Sequence, residues 1–259
     1  MPWLADSHAH LDFPQFKEDL ASVLERAREA GLGFILNVAT GEESSSRVVE
    51  LCELSPLLWA AVGVHPHYAA QLSPLCLQRL AILSQNRRVL AIGETGLDYY
   101  RDHCPRDVQM DAFRAHLRLA SSLDKPLIVH SREAHAETLR LMREEPLPLR
   151  NGIMHCFSGN RHEANAFLEL GFYISVAGPV TYPRSHELRA LMRAIPPERL
   201  LLETDAPYLS PQPFRSLRNE PAYIRATYER VALTLSMSIE KLAGQIQSNL
   251  LCLFPEIRS

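Results

Sequence analysis

Four histidines and two carboxylates stand where short apolar runs turn polar: His8, His10, Glu94, His130, His155 and Asp205. The first two belong to Asp6-Ser7-His8-Ala9-His10, which closes the run Trp3-Leu4-Ala5 before any helical pattern begins. Residues two apart on a β-strand share a face, so His8 and His10 project together. Two neutral imidazoles side by side, each with one nitrogen lone pair, suit a divalent cation. Taken singly, each of the six is more often a satisfied polar residue than a ligand. Burying all of them at corresponding strand ends calls for compensating charge, and a pair of divalent cations supplies it.

The elements that would carry these residues can be read from the hydrophobic pattern. After the first strand come apolar runs at Phe34–Ala39, Leu58–Val64, Val89–Gly93 and Pro126–Val129, then Gly152–Met154, Phe172–Ala177 and Leu200–Leu202. Near-continuous apolar runs are expected of strands buried on both faces. Helical periodicity fills the gaps. It covers Pro14–Ala30 with Gly31 as its stop, Ser44–Glu53 opened by capping serines, and a helix begun by Ser73-Pro74. Further helices are predicted over Arg106–Leu123 (Met110, Phe113, Leu117 and Ala120 inward), up to Glu145, and over Glu163–Leu170 and 185–195. Patterns from Pro221 to Phe254 would cover the last strands. Eight strands alternating with helices predict a single α/β domain over residues 1–259, a (β/α)8 TIM barrel. A doubly wound open sheet is the alternative, but no Gly-rich phosphate fingerprint follows the first strand.

In such a barrel the C-terminal strand ends surround one mouth. His8 and His10 on the first strand and Asp205 on the eighth are neighbours and would hold one metal. His130 and His155, on the fifth and sixth, would hold the second, with Glu94 offering one oxygen to each ion. Two metals so placed activate a water and stabilise both attacking and leaving oxygens. Glu94 and Asp205 are therefore the expected catalytic carboxylates, Asp205 also as acceptor of the water's proton. Mixed His/carboxylate ligation accepts Mg²⁺, Mn²⁺ or Zn²⁺.

Around this core, His65 reads either as a substrate contact or as a histidine fixed in a turn by Pro66. Arg132, two residues past His130, is placed to bind a phosphate oxygen, or else to pair with Glu133 or Asp98. Asp98 is a candidate for orienting a ligand. Tyr99, Tyr100, Phe157, Tyr182 and Tyr208 fall near strand-end loops, where aromatics stack on unpaired bases. His67, His103, His116, His135, His162 and His186 lack partners at ligand spacing and read as surface or packing residues.

Taken together, Asp6–His10, Val62-Gly-Val-His-Pro66, Gly93-Glu-Thr-Gly-Leu-Asp98, His130-Ser-Arg132, His155-Cys-Phe-Ser-Gly159 and Glu203-Thr-Asp205 resemble the TatD family. Those proteins are metal-dependent deoxyribonucleases of the amidohydrolase-like barrel superfamily. The resemblance runs from Asp6 into the Asn249–Pro255 tail. It implies a two-metal site with the six ligands named above and 3′-to-5′ exonuclease or general DNase activity. The implied substrate is DNA, as single strands or frayed ends. One stretch departs from the family: within Phe214–Pro221, Ser216 and Leu217 stand where Gly and Lys are usual, removing one cation while Arg218-Asn219 remain.

The bulk properties fit a soluble enzyme. Lys and Arg number 27 against 30 Asp and Glu, a net charge of −3 that argues against broad electrostatic binding of nucleic acid. Five scattered cysteines with no C-x-x-C pair read as free thiols of a reducing compartment, and no run approaches a membrane span. The expectation is a cytoplasmic protein with no membrane association and no obligate protein partner. A barrel amidohydrolase or esterase acting on a small molecule or an aminoacyl ester is the competing enzyme class. Many of those bridge their metals with a carboxylated lysine on the fourth strand, and no lysine lies between Val89 and Asp98. A non-catalytic barrel would show gaps among the six ligand positions, and there are none.

Overall fold

A computed structural model describes residues 2–258. Its strands are β1 Leu4–Ala9, β2 Leu32–Val38, β3 Leu58–Val62, β4 Val89–Asp98, β5 Leu127–Arg132, β6 Gly152–Met154, β7 Tyr173–Val176 and β8 Leu200–Leu202. They form one parallel sheet in sequence order. The helices between and after them are α1 Leu20–Glu29, α2 Glu42–Leu51, α3 Pro74–Leu83, α4 Arg106–Leu123, α5 His135–Glu144, α6 Arg161–Glu169, α7 His186–Ala194, α8 Ile224–Leu235 and α9 Ile239–Leu253.

The sheet curls until its two edges meet, which rules out the open-sheet alternative. Past β8, the Asp205 amide donates to the His8 carbonyl (2.9 Å) and the His10 amide to the Ala206 carbonyl (2.8 Å). Below that seam, the buried Asp6 carboxylate accepts from the Thr204 amide at 2.9 Å and the Thr204 hydroxyl at 2.6 Å. Burial pushes Asp6 up to about 7, against the pull of these bonds. The last helices complete the wall. Tyr228 of α8 bonds through its hydroxyl to the Ala5 amide at 3.0 Å, and Asn249 of α9 donates to the Leu200 carbonyl at 2.7 Å.

Two strands outrun their apolar stretches. β4 continues to Asp98 and β5 to Arg132, with Gly96 opposite His130 and Asp98 opposite Arg132. Hydrophobicity stops where the candidate ligands begin, but the backbone ladder does not. Glu94 and His130 therefore sit within paired strand, which holds them more rigidly than a loop would. Gly96 is required there: its φ is +134°, and a Cβ would lie 1.9 Å from the His130 carbonyl oxygen.

Several helix expectations are corrected. The 14–30 segment divides into a 3₁₀ turn, Pro14–Phe16, and α1. α2 starts at Glu42 with no side-chain cap; Ser44 instead accepts from the Thr40 amide and donates to Asp12. Ser73 does cap α3, accepting from the Cys76 amide. On α4 the buried residues are Gln109, Ala112, Phe113, His116, Leu117 and Ala120, with Met110 only half-buried.

Candidate metal centre

The six predicted residues converge at one mouth of the barrel, around the carboxylate of Glu94. Its Oε2 lies 3.4 Å from His8 Nε2 and 3.5 Å from His10 Nε2. Asp205 joins that side, its Oδ1 3.8 Å from His8 Nε2 and 3.5 Å from His10 Nε2. Asp205 takes a left-handed backbone, φ 56°, which Asp tolerates better than most residues. The other oxygen, Oε1, lies 3.0 Å from both His130 Nδ1 and His155 Nε2. One carboxylate thus faces two histidine pairs, which meet where His8 stacks on His155 with centroids 3.9 Å apart.

The outward nitrogens decide which inward ones carry lone pairs. His10 Nδ1 donates to the Val38 carbonyl (2.7 Å), His130 Nε2 to Asp98 Oδ2 (3.0 Å) and His155 Nδ1 to Glu203 Oε1 (3.2 Å). A neutral ring so fixed presents its remaining lone pair to the centre, as metal-ligating histidines do. His8 differs, because its buried Nδ1 has no hydrogen-bond partner among the described residues.

These atoms fit divalent cations. His8 Nε2 and His10 Nε2 approach to 3.1 Å, and His130 Nδ1 and His155 Nε2 to 3.3 Å. Ligand nitrogens about 2.0–2.1 Å from a tetrahedral ion would stand roughly 3.3 Å apart. The electrostatics agree. Burial opposes ionisation of Glu94, yet the surrounding histidines hold it well below the usual carboxylate range. Burial opposes charge on His155 too, yet Glu94 and Glu203 raise it well above the ordinary imidazole value. His10 follows suit, raised to about 9 by Asp205 and Glu94 against its burial. Asp205 is lowered by His10, His155 and His8 despite burial. The carboxylates and the rings of His10 and His155 mark the spot as one that demands positive charge, while burial and His155 lower His8.

His65 belongs to the same wall, its Nε2 3.4 Å from Glu94 Oε1. Its Nδ1 accepts the His67 amide at 3.1 Å, which leaves the proton of the neutral ring on Nε2. Burial pushes it down to about 4, only partly offset by Glu94, so the ring stays neutral. His65 therefore offers the mouth a donor where its neighbours offer lone pairs. Arg132 makes neither of the pairs considered from sequence; its guanidinium lies over the Tyr100 ring, 3.9 Å from the centroid, and lines the cleft. The cleft itself has a volume of about 580 Å³.

Two residues gain importance beyond the sequence reading. His67, read as surface or packing, donates from Nε2 to Asp98 Oδ2 at 2.9 Å and lines the cleft. Nothing but its two-residue spacing from His65 pointed to it. Glu203, noted only as part of a motif, buries its carboxylate against His155; its two-residue spacing from Asp205 was the available signal. Conversely, Arg218 makes a two-pronged pair with Asp19 at 2.7 and 2.8 Å, and Asn219 donates to the Thr204 and Tyr208 carbonyls. The divergent Phe214–Pro221 stretch thus braces the end of β8, and its Arg218-Asn219 are committed to protein contacts. Burial, with Glu203, Asp205 and Glu94 nearby, pushes the Cys156 thiol well above its ordinary range.

A parallel barrel whose mouth gathers imidazole lone pairs around a shared carboxylate defines the class of barrel hydrolases that work with bound metal. Within that class the chain belongs to the TatD family: residues 5–255 match the family described as TatD related DNase. It is 37% identical over 251 residues to the metal-dependent hydrolase YabD of Bacillus subtilis (strain 168), covering 97% of this chain and 98% of YabD. It is 38% identical over 255 residues to the 3′-5′ ssDNA/RNA exonuclease TatD of Pantoea vagans (strain C9-1), covering 96% and 98% of the two chains. The crystal structure of YJJV, a TatD homologue from Escherichia coli K12, superposes with a TM-score of 0.91 at 34% identity, covering 97% of this chain and 98% of YJJV. The protein is accordingly a metal-dependent hydrolase. Among its described residues, no helix is long and apolar enough to cross a membrane.

Proposed function

We propose that this hydrolase cleaves phosphodiester bonds of DNA from a 3′ end, using two divalent cations, Mg²⁺, Mn²⁺ or Zn²⁺. The observation that carries the reading is the division of Glu94, one oxygen toward His8 and His10 and the other toward His130 and His155. His8, His10 and Asp205 would hold one cation, His130 and His155 the other, with Glu94 shared. The exonuclease name of the Pantoea vagans relative supports the substrate class.

When bound, such a pair lowers the pKa of water and offsets charge on the phosphodiester. The chain's own groups do the rest. Asp205, kept ionised by the histidines around it, accepts the proton released by the attacking water. His65 donates from Nε2 to a non-bridging phosphate oxygen. Arg132, braced on Tyr100, presents its guanidinium edge to a phosphate of the same strand. Asp98 and Glu203 keep His130 and His155 in the tautomers that leave lone pairs inward.

The deciding experiment is hydrolysis after metal removal and reconstitution with each cation in turn. Labelled single-stranded DNA should shorten stepwise from its 3′ end. If every oligonucleotide stays intact while small esters or cyclic amides from a substrate panel are hydrolysed, the phosphodiesterase reading fails.

A further inference from the structure

The cleft is not symmetrical about Glu94. On the His10 side its wall is aromatic. Phe13 stacks on the His10 ring with centroids 4.8 Å apart and planes at 12°, and Tyr208 meets Phe13 edge-on at 6.1 Å. Tyr68 lines the same cleft, and Tyr68 and Tyr208 are 47% and 51% exposed, ring surface open to a ligand. On the His130 side the wall is cationic. Among the described residues, Arg101 and Arg132 are the only arginines or lysines lining the cleft, and the exposed Tyr100 ring lies beside both, 5.7 and 3.9 Å from their guanidinium carbons.

Neither guanidinium pairs with a carboxylate among the described residues, whereas nearby Arg106 pairs with Asp102 at 3.6 Å. A guanidinium resting on an aromatic face keeps its edge donors free for an anion. The clamp is also fixed in place. Asp98 Oδ1 accepts the amides of Tyr100 (3.0 Å) and Arg101 (2.8 Å), while Oδ2 of the same carboxylate holds His130.

We propose that Arg101, Tyr100 and Arg132 form a second phosphate subsite, opposite a base-stacking wall of Phe13, Tyr68 and Tyr208. The inference rests on the phosphodiesterase reading and narrows it. The preferred substrate is a strand end whose terminal base is unpaired and whose chain carries at least one phosphodiester beyond the scissile bond. The terminal base stacks on the aromatic wall at the His10 side. The scissile phosphate lies at Glu94, and the next phosphate reaches the two guanidiniums. A paired terminal base would bring its partner strand into the same cleft of about 580 Å³.

The test compares a thymidine dinucleotide, which has one phosphodiester, with a thymidine decamer and with the same decamer lacking its 3′-terminal base. Arg101→Ala should cut the kcat/KM preference for the decamer over the dinucleotide about tenfold and lower the salt slope of decamer binding by about one. Tyr208→Ala should bring the intact and base-lacking decamers to nearly equal kcat/KM. Wild-type preferences surviving in both variants would overturn the subsites while leaving phosphodiester cleavage standing. Anisotropy of a fluorescein-labelled decamer on the metal-free protein separates the two failures. If no phosphodiester is cleaved but Arg101→Ala still weakens decamer binding about tenfold, the clamp stands and the reaction assignment falls. If Arg101→Ala binds the decamer as wild type does, the clamp falls.

Discussion

The two sides of Glu94 are built from the same side-chain types but keep their negative charge at different distances. On the His8/His10 side a second carboxylate, Asp205, stands among the inward-facing atoms, and the outward bond of His10 goes to a neutral carbonyl. On the His130/His155 side the inward carboxylate in direct reach is Glu94, with Asp205 standing off, within 4.8 Å of His155. Charge is placed behind the rings instead, with Asp98 on His130 and Glu203 on His155. A carboxylate behind an imidazole makes it a stronger donor without occupying a coordination position. In the two-cation reading proposed above, the first side would hold the more tightly bound cation and the second would leave room for substrate oxygens.

That contrast can be broken most forcefully at its shared member. Glu94→Gln should remove hydrolysis by roughly 10³-fold or more, about 4 kcal/mol of barrier, and lower metal content on both sides. Retained turnover with full metal content would show that Glu94 does not join them. Next in size is the double variant His8→Ala/His10→Ala. Elemental analysis should find metal reduced by about one ion per chain, the remaining position partly filled. Unchanged metal content would mean that this pair is not a ligand pair.

A sharper test addresses the second row of charge. Asp98→Asn should weaken the more easily chelated of two cations by about 10–100-fold and leave the other unaffected. Equal weakening of both, followed by competition with a chromophoric chelator, would show that the two sides are not independent. The smallest effect is expected away from both sides. Arg218→Ala removes a half-exposed pair with Asp19 and should cost about 1 kcal/mol or less in urea unfolding, with metal content untouched. A loss of metal in that variant would tie the Phe214–Pro221 stretch to the site more closely than its contacts indicate.

The barrel and the convergence of the six candidate ligands were legible for one reason: the apolar runs of β1, β4, β5, β6 and β8 end abruptly in residues able to bind metal. Leu200-Leu201-Leu202 before Glu203 and Asp205 is the plainest case. What could not be read is whatever depends on the far side of a ring or on the closing of the barrel. Asp98 is legible from sequence as a candidate for orienting a ligand, but the roles of Glu203 and His67 follow from which nitrogen each imidazole turns outward, and periodicity carries no such information. The Asp6–Thr204 contact joins residues 198 apart and exists only once β8 meets β1. The reach of β4 and β5 was likewise hidden, because ladder pairing continues through polar residues that end the hydrophobic signal.

Asp98 has a consequence that extends past positioning. One oxygen of this carboxylate serves His130 and His67, and the other serves the amides of Tyr100 and Arg101. A ligand that draws the Tyr100–Arg101 loop toward itself alters the electron density available to His130, and a cation on His130 alters the hold on the loop. Thermodynamic reciprocity then requires the two binding events to change each other's affinity by the same factor. Nucleic-acid affinity measured with and without metal, and metal affinity measured with and without nucleic acid, would therefore give one coupling constant, which Asp98→Asn should bring toward unity.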